Sequence, residues 1–235
     1  SREIILSFEL NPGDMQPYSQ ILQQANTELG NLNLTNTQII LELRESKSKV
    51  QRLAQKLREA NKQLRELVHH DGLTGLYNHR YLQNALNMEL ARATRHQTSF
   101  SLVLFDIDYF KKVNDCYGHL SGDLVLREIA QEVKKIVRVN DILARFGGDE
   151  FAIILASTNI EGLKAFTKHL RLLVEGISTS INGQRVYNTI SIGAVTVTPG
   201  NTLISKDHLI EAADKCLYQS KNNGRNQVTI KKLGD

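Results

Sequence analysis

The sequence has no tryptophan, only two cysteines and only three prolines. Cys116 and Cys216 lie far apart and have neither C-x-x-C nor metal-ligand spacing. A disulfide framework or zinc site is thereby excluded, and reduced thiols in a cytoplasmic protein are the simplest reading. No run approaches the roughly 18 apolar residues of a membrane span, so this stretch is expected to make no membrane contact. No basic segment followed by an apolar one opens the chain, and no secretory signal is read there. The start, Ser1-Arg2-Glu3-Ile4-Ile5-Leu6, is expected to continue from something longer, and domains upstream, membrane ones included, are compatible with it. Charge of one sign is scarce as well. The net charge is +4, basic residues mostly alternate with acidic ones, and no aromatics interleave with a basic run, which argues against a nucleic-acid partner. The G-x-x-x-x-G-K-[ST], G-x-G-x-x-G and H-E-x-x-H patterns are missing. So are internal repeats and low-complexity segments.

What is present is 41% hydrophobic residues in a chain of 235, enough to build a core in one or two structural units. Residues 1–10 read as a strand or as a helix end, and Asn11-Pro12-Gly13-Asp14 as a turn, with Pro17 suited to a first helical position. Residues 1–16 are taken as an upstream remnant or extension. From Leu22 a heptad pattern begins. Its a sites are Leu22, Leu29, Asn36, Leu43, Val50, Leu57 and Leu64, and its d sites are Ala25, Leu32, Ile39, Ser46, Leu53, Ala60 and Leu67. An unbroken register of this length predicts a coiled coil over residues 17–68. Such a helix would be roughly 75–80 Å long at 1.5 Å per residue. Its narrow seam suits a parallel homodimer better than docking on its own domain. Asn36 at an a site would fix register, while Gly30 and Ser46 are weak points.

His69-His70-Asp71-Gly72 ends the heptads and opens a second unit, residues 69–235. Its pattern predicts a helix near 78–98, a strand near 100–107, a helix near 120–138 and strands at 142–146 and 151–156. A helix near 160–176, a strand or hairpin over 185–197, a helix at 206–220 and a strand at 226–231 follow. Alternating strands and helices around a central hairpin predict an α/β sandwich with a mostly antiparallel sheet.

Two acidic clusters interrupt strongly apolar strands: Asp106-Ile107-Asp108 after Leu102-Val103-Leu104-Phe105, and Asp149-Glu150 before Phe151-Ala152-Ile153. Gly147-Gly148 permits a tight hairpin with positive backbone dihedrals. If the two strands are neighbours, the hairpin tip brings Asp149 and Glu150 beside Asp106. Three gathered carboxylates call for a cation, and hard oxygen ligands suit Mg²⁺. The turn after Asp108, carrying Lys111, offers amides to phosphates. Asn114 and Asp123 supply an amide and a carboxylate for a base edge, and a carboxylate accepting from N1–H and the 2-amino group reads guanine. Lys221 and Arg225, just past a helix, suit a terminal phosphate.

Gly147-Gly148-Asp149-Glu150-Phe151 resembles the signature of the GGDEF family, the diguanylate cyclases. It is accompanied by Asp71-Gly72-Leu73-Thr74-Gly75-Leu76-Tyr77-Asn78, Asp106-Ile107-Asp108-Tyr109-Phe110-Lys111, Asn114-Asp115, Gly118-His119, Gly122-Asp123, Ala213-Asp214, Leu217-Tyr218 and the run from Lys221 to Asn226. The resemblance extends from about residue 68 to the end. It implies a palm-like sandwich with a ferredoxin-like core, related to nucleotidyl cyclases, that condenses two GTP into cyclic di-GMP and releases two pyrophosphates. It implies two Mg²⁺ per site, with Mn²⁺ as a substitute, held by Asp106, Asp149, Glu150 and the Ile107 carbonyl. Lys111, Lys221, Arg225 and the amides of the Phe110 turn would hold the triphosphate, with Asn114 and Asp123 on guanine. Asp at position 123 favours GTP over ATP. Asp106, Asp149, Glu150 and Lys111 are thus the expected catalytic set, and Glu150, water or a metal-bound hydroxide would accept the proton. Two half-sites would meet across a dimer delivered by the coiled coil, which in relatives joins a sensor to the catalytic domains. Arg138-Val139-Asn140-Asp141 stands where relatives carry an R-x-x-D product-inhibition site, so Arg138 and Asp141 are expected to bind cyclic di-GMP. His79 departs from the Arg often found there. The alternative is a silent cyclic di-GMP receptor signalling through its coiled coil.

Overall fold

The computed structural model describes residues 15–198 and 204–234, with side chains from residue 19 onward except 62–67. The strand or helix end expected over residues 1–10, the turn at Asn11–Asp14 and the seam side chains of Leu64 and Leu67 lie outside the described residues. The chain divides into two compact units between Gln63 and Leu64.

A single helix, α1 (Met15–His69), spans the described part of the first unit, continues past Gln63 and carries the heptads. Thr27, Thr35 and Thr37, poor helix formers, return their hydroxyls to the carbonyls of Gln23, Asn31 and Asn33 at 2.8–3.0 Å. The seam side chains Leu22, Leu29, Leu32, Ile39, Leu43, Val50, Leu53 and Leu57 are all more than half exposed. An apolar stripe of this length fits a coiled-coil stalk, because water is a poor environment for it along its run. None of the described helices is long and apolar enough to cross a membrane.

In the second unit the elements are α2 (His79–His96), β1 (Phe100–Ile107), α3 (Phe110–Tyr117), α4 (His119–Ile136), β2 (Ile142–Gly147), β3 (Glu150–Leu155), α5 (Ile160–Glu175), β4 (Ser178–Ile181), β5 (Gln184–Tyr187), β6 (Ile190–Val197), α6 (Lys206–Asn222) and β7 (Val228–Leu233). The main sheet runs β2-β3-β1-β6-β7. Its pairs are antiparallel except β6 with β7, which are parallel. All eight positions of β1 are buried, so its residues split by parity between two covered faces. Val103, Phe105 and Ile107 pack with Val125, Ile129 and Val133 of α4 and Leu163 and Leu170 of α5. Phe100, Leu102 and Leu104 pack with Leu82 and Leu86 of α2 and Leu209, Ala213 and Leu217 of α6. The architecture is therefore the α/β sandwich with a central, mostly antiparallel sheet that the pattern predicts.

Two local expectations are corrected. The segment carrying Lys111 is the two-turn helix α3 rather than a plain turn. The region read as a strand or hairpin over 185–197 is a small β4–β5 hairpin followed by β6, and β4 begins earlier, at Ser178. Ser178-Thr179-Ser180-Ile181 is too short and too polar to show an alternation.

Helix α6 lies on β6 with no side chain between them at Gly193. A Cβ built there would sit 2.1 Å from the Leu217 nitrogen and 2.2 Å from the Ala213 oxygen. Both are backbone atoms and cannot rotate away, so the helix itself would have to move. Gly193→Ala is expected to cost on the order of 3 kcal/mol, at the upper end of overpacking effects, read by urea denaturation of the second unit.

Candidate functional site

The strand register assembles the acidic residues. On β1 and β3, Asp106 pairs with Glu150. The β2–β3 hairpin turns through Gly148 at φ 49°, with an irregularity between Arg145 and Gly147, which puts Asp149 at the tip. The two strands are thus neighbours, as the hairpin argument requires. Asp106 is 7% exposed. Burial is the main cause that pushes its carboxyl up to about 6; the Lys221 ammonium opposes this, and the charges of Asp149 and Glu150 reinforce it. Glu150 is raised as well, first by burial and then by Asp149 and Asp214, against the pull of Lys221. Lys221, in the last turn of α6, places Nζ 2.8 Å from Asp106 Oδ2.

Among the described residues no three His, Cys, Asp or Glu side chains form a ready-made metal cage. Mg²⁺ does not require one, since it is commonly bound by one or two carboxylates together with waters and substrate phosphates. Mutually repelling, partly buried oxygen donors at Asp106, Asp149 and Glu150 are the donor set such an ion relieves, so the residues fit it.

Beside the turn lies an open cleft of about 440 Å³ lined by Phe110, Lys111, Asn114, Asp123, Arg145 and Asp149. It therefore brings four of the expected nucleotide residues together with the hairpin tip. Gly122 is needed for this arrangement, because a Cβ there would meet the Asn114 amide oxygen at 1.9 Å. Tyr109 starts α3 from a left-handed conformation, φ 59°, with no side-chain cap on the first turn. Its ring lies 4.6 Å from both the Lys112 ammonium and the Arg225 guanidinium. Ile107 ends β1 opposite Ile190, with its side chain in the core.

Arg138 and Asp141 stand apart from this cleft. They line a cavity of about 520 Å³ with Gln97, Thr98, Ser157 and Asn159. Both oxygens of Asp141 already accept backbone N–H groups, from Arg138 at 3.2 Å and Ala156 at 3.0 Å. The ring of His79 stands perpendicular to that of Phe146, with centroids 4.7 Å apart.

One residue central to the geometry has no local sign in the sequence. Arg145 donates through Nε and Nη2 to the Gly148 carbonyl, at 3.0 and 2.7 Å, and through Nη1 to both oxygens of Asp71, at 3.2 Å. Asp71 also accepts from the Thr74 N–H and hydroxyl. The acidic turn is thereby fastened to the turn that opens the second unit. Burial pulls the Asp71 carboxyl upward, yet the donors of Thr74 and Arg145 together hold it below the usual carboxylate range. The 74 residues separating the partners explain why spacing alone cannot reveal the pair.

Residues 68–227 match the family profile described as diguanylate cyclase, GGDEF domain. The chain is 38% identical over 175 residues to diguanylate cyclase A of Treponema denticola, covering 73% of this chain and 47% of that protein. It is 40% identical over 169 residues to the response regulator PleD of Caulobacter vibrioides, covering 71% and 37%. The crystal structure of the coiled coil and GGDEF domain of DgcB from Caulobacter crescentus, in complex with c-di-GMP, superposes with a TM-score of 0.73 at 30% identity, covering 81% of this chain and 99% of that one. The chain spans less than half the length of these two curated relatives.

Arg145→Met, which keeps the stem and removes the charge, is expected to lower stability at pH 7 by about 1–3 kcal/mol, the range for stranding a partly buried partner. Asp71 has a depressed pKa when folded, so its contribution is present above the unfolded value near 3.9 and is lost as pH falls through the folded one. The gap between parent and variant should accordingly shrink in denaturation curves taken at about pH 3.

Proposed function

The chain belongs to the GGDEF family of diguanylate cyclases, and on that premise we propose that it condenses two GTP molecules into cyclic di-GMP with release of two pyrophosphates. The observation that carries the reading is the pairing of Asp106 with Glu150, with Asp149 at the hairpin tip, beside a cleft that holds Lys111, Asn114 and Asp123.

Asp106, Asp149, Glu150 and the Ile107 carbonyl would hold Mg²⁺, two ions per site, with Mn²⁺ as a substitute. When bound, the ions supply positive charge that favours ionisation of the attacking 3′-hydroxyl and steadies the departing pyrophosphate. The chain's own groups do the rest. Asp123 accepts from the N1–H and 2-amino group of guanine, a donor pair that adenine lacks, and Asn114 supplies an amide beside it. Lys111, Lys221 and Arg225, with the amides at the start of α3, neutralise the triphosphate and hold the α-phosphate in line with its attacker. Glu150, paired with Asp106 across the neighbouring strands, or a water beside it would accept the proton of the hydroxyl.

One domain binds one GTP, and two equivalent phosphodiester bonds must close the ring, so two copies face each other across a two-fold axis. The seam of α1 supports a parallel homodimer that supplies the second copy. The stalk would pass a change in its own packing to the meeting of the half-sites. The pocket beside Arg138 and Asp141 would take product, where an Arg fork grips guanine or phosphate and limits output. GTP is a cytoplasmic nucleotide, so the proposed reaction would belong to that compartment.

Purified protein incubated with GTP and Mg²⁺ is expected to release pyrophosphate and cyclic di-GMP. Asp149→Ala, with an unchanged melting curve, is expected to lower the rate at least 100-fold, the order found for removing one charge-stabilising group. A parent sample that is dimeric yet produces neither compound would overturn the reading. Placing charge in the seam, as in Leu43→Asp with Val50→Asp, is expected to yield monomers by sedimentation equilibrium and to make the rate of product formation rise with the square of enzyme concentration.

A further inference from the structure

Asp108 lies two residues beyond Asp106 and carries the same charge, but its surroundings differ. It is 5% exposed. Oδ1 accepts the Ser191 hydroxyl at 2.6 Å; Oδ2 accepts the Thr189 hydroxyl at 2.7 Å and the backbone N–H of Asn226 at 2.9 Å. Its own N–H donates to the Thr189 carbonyl at 2.9 Å. Three donors thus occupy the carboxylate and leave it only one of its roughly four lone-pair sites.

The Asn226 contact is the informative one. Gly224, Arg225 and Asn226 have φ values of 114°, 65° and 45°, a left-handed run that is uncommon for non-glycine residues, less so for Asn than for Arg. It is held at several points. Arg225 N–H donates to the Ser220 carbonyl at 3.1 Å. The Asn226 side chain accepts from Arg171 at 2.9 Å and donates to Glu175 at 2.8 Å. Asp108 fixes the backbone itself. The residue after Asp108 is Tyr109, also left-handed, and its ring carries the Arg225 guanidinium at 4.6 Å. The buried carboxylate of Asp108 therefore holds the loop that bears Arg225, and the residue next to it in the chain supplies the ring on which Arg225 rests.

We propose that Asp108 is a positioning residue that aims Arg225 at the triphosphate, and that it ligates no cation. The inference rests on the GTP reading for the destination of Arg225. A ligand-binding assay separates the two, since affinity for a non-hydrolysable GTP analogue does not require turnover. A parent chain that binds the analogue but makes no cyclic di-GMP would count against the cyclase reading alone.

The experiment measures analogue affinity by calorimetry in Mg²⁺ buffer and the affinity for Mn²⁺ alone by electron paramagnetic resonance. Asp108→Ala is expected to weaken the analogue about tenfold, the worth of one charge-assisted phosphate contact, with Mn²⁺ affinity unchanged. Combined with Arg225→Ala it should bring no further loss, because both changes remove the same contact. Asp108→Asn keeps an oxygen for the Asn226 N–H, and the Ser191 hydroxyl can turn to accept, so this variant should recover most of the affinity. A metal ligand would behave otherwise, and Asp106→Asn serves as that reference by losing Mn²⁺. Unchanged analogue affinity in Asp108→Ala, additivity with Arg225→Ala, or loss of Mn²⁺ in either Asp108 variant would overturn the proposal. Should Asp108→Ala fail to fold, Asp108→Asn decides the matter: Mn²⁺ and analogue affinities near those of the parent support it, and a loss matching Asp106→Asn overturns it.

Discussion

Two carboxylates face each other across neighbouring strands, Asp106 on β1 and Glu150 on β3. Like charges directly opposed on a sheet are unfavourable, and burial makes the opposition worse. The register that imposes it is not free to slip, because a shift by one residue would turn Val103, Phe105 and Ile107 away from α4 and α5. The hydrophobic core thus forces an electrostatic conflict to persist at the end of the sheet. Much else nearby answers that conflict. Lys221 reaches over from α6, the hairpin tip is tied back through Arg145, and the oxygen donors are left in an arrangement that a divalent ion relieves.

The surroundings of the site are held largely by contacts in which one partner is backbone. Gly122 leaves room for the Asn114 amide, and Gly193 lets α6 rest on β6. The Gly148 carbonyl takes two donors from Arg145, and the Asn226 N–H is held by Asp108. Backbone contacts of this kind have few alternative arrangements, which suits groups that must stay aligned before substrate arrives. The exposed seam of α1 is built the other way, from many similar small contributions.

Sequence pattern made the sandwich legible because β1, β3 and β6 are buried runs bounded by turn residues, and the helices between them are clearly periodic. It made the acidic centre legible because Asp106 and Asp149-Glu150 interrupt such runs. What it could not reach had no local signal. The helical state of Phe110–Tyr117 follows from a left-handed Tyr109, which no propensity suggests. The β4 strand has too few apolar positions to alternate. Arg145 looks like an ordinary strand residue until its distant partner Asp71 is in place. Asp106 and Asp108 look alike in the chain, and only the donors of Thr189, Ser191 and Asn226 tell them apart.

The contact at Gly193 also bears on the cationic side of the centre. Leu217, whose backbone presses on that glycine, lies one helical turn before Lys221. The root of the lysine is therefore set by a hard stop and not by a spring. Neutralising the Asp106 carboxylate would release the ammonium but leave the stem anchored where it was. The free end sweeps an arc of fixed centre, so the positive charge remains available to the site whichever anion claims it.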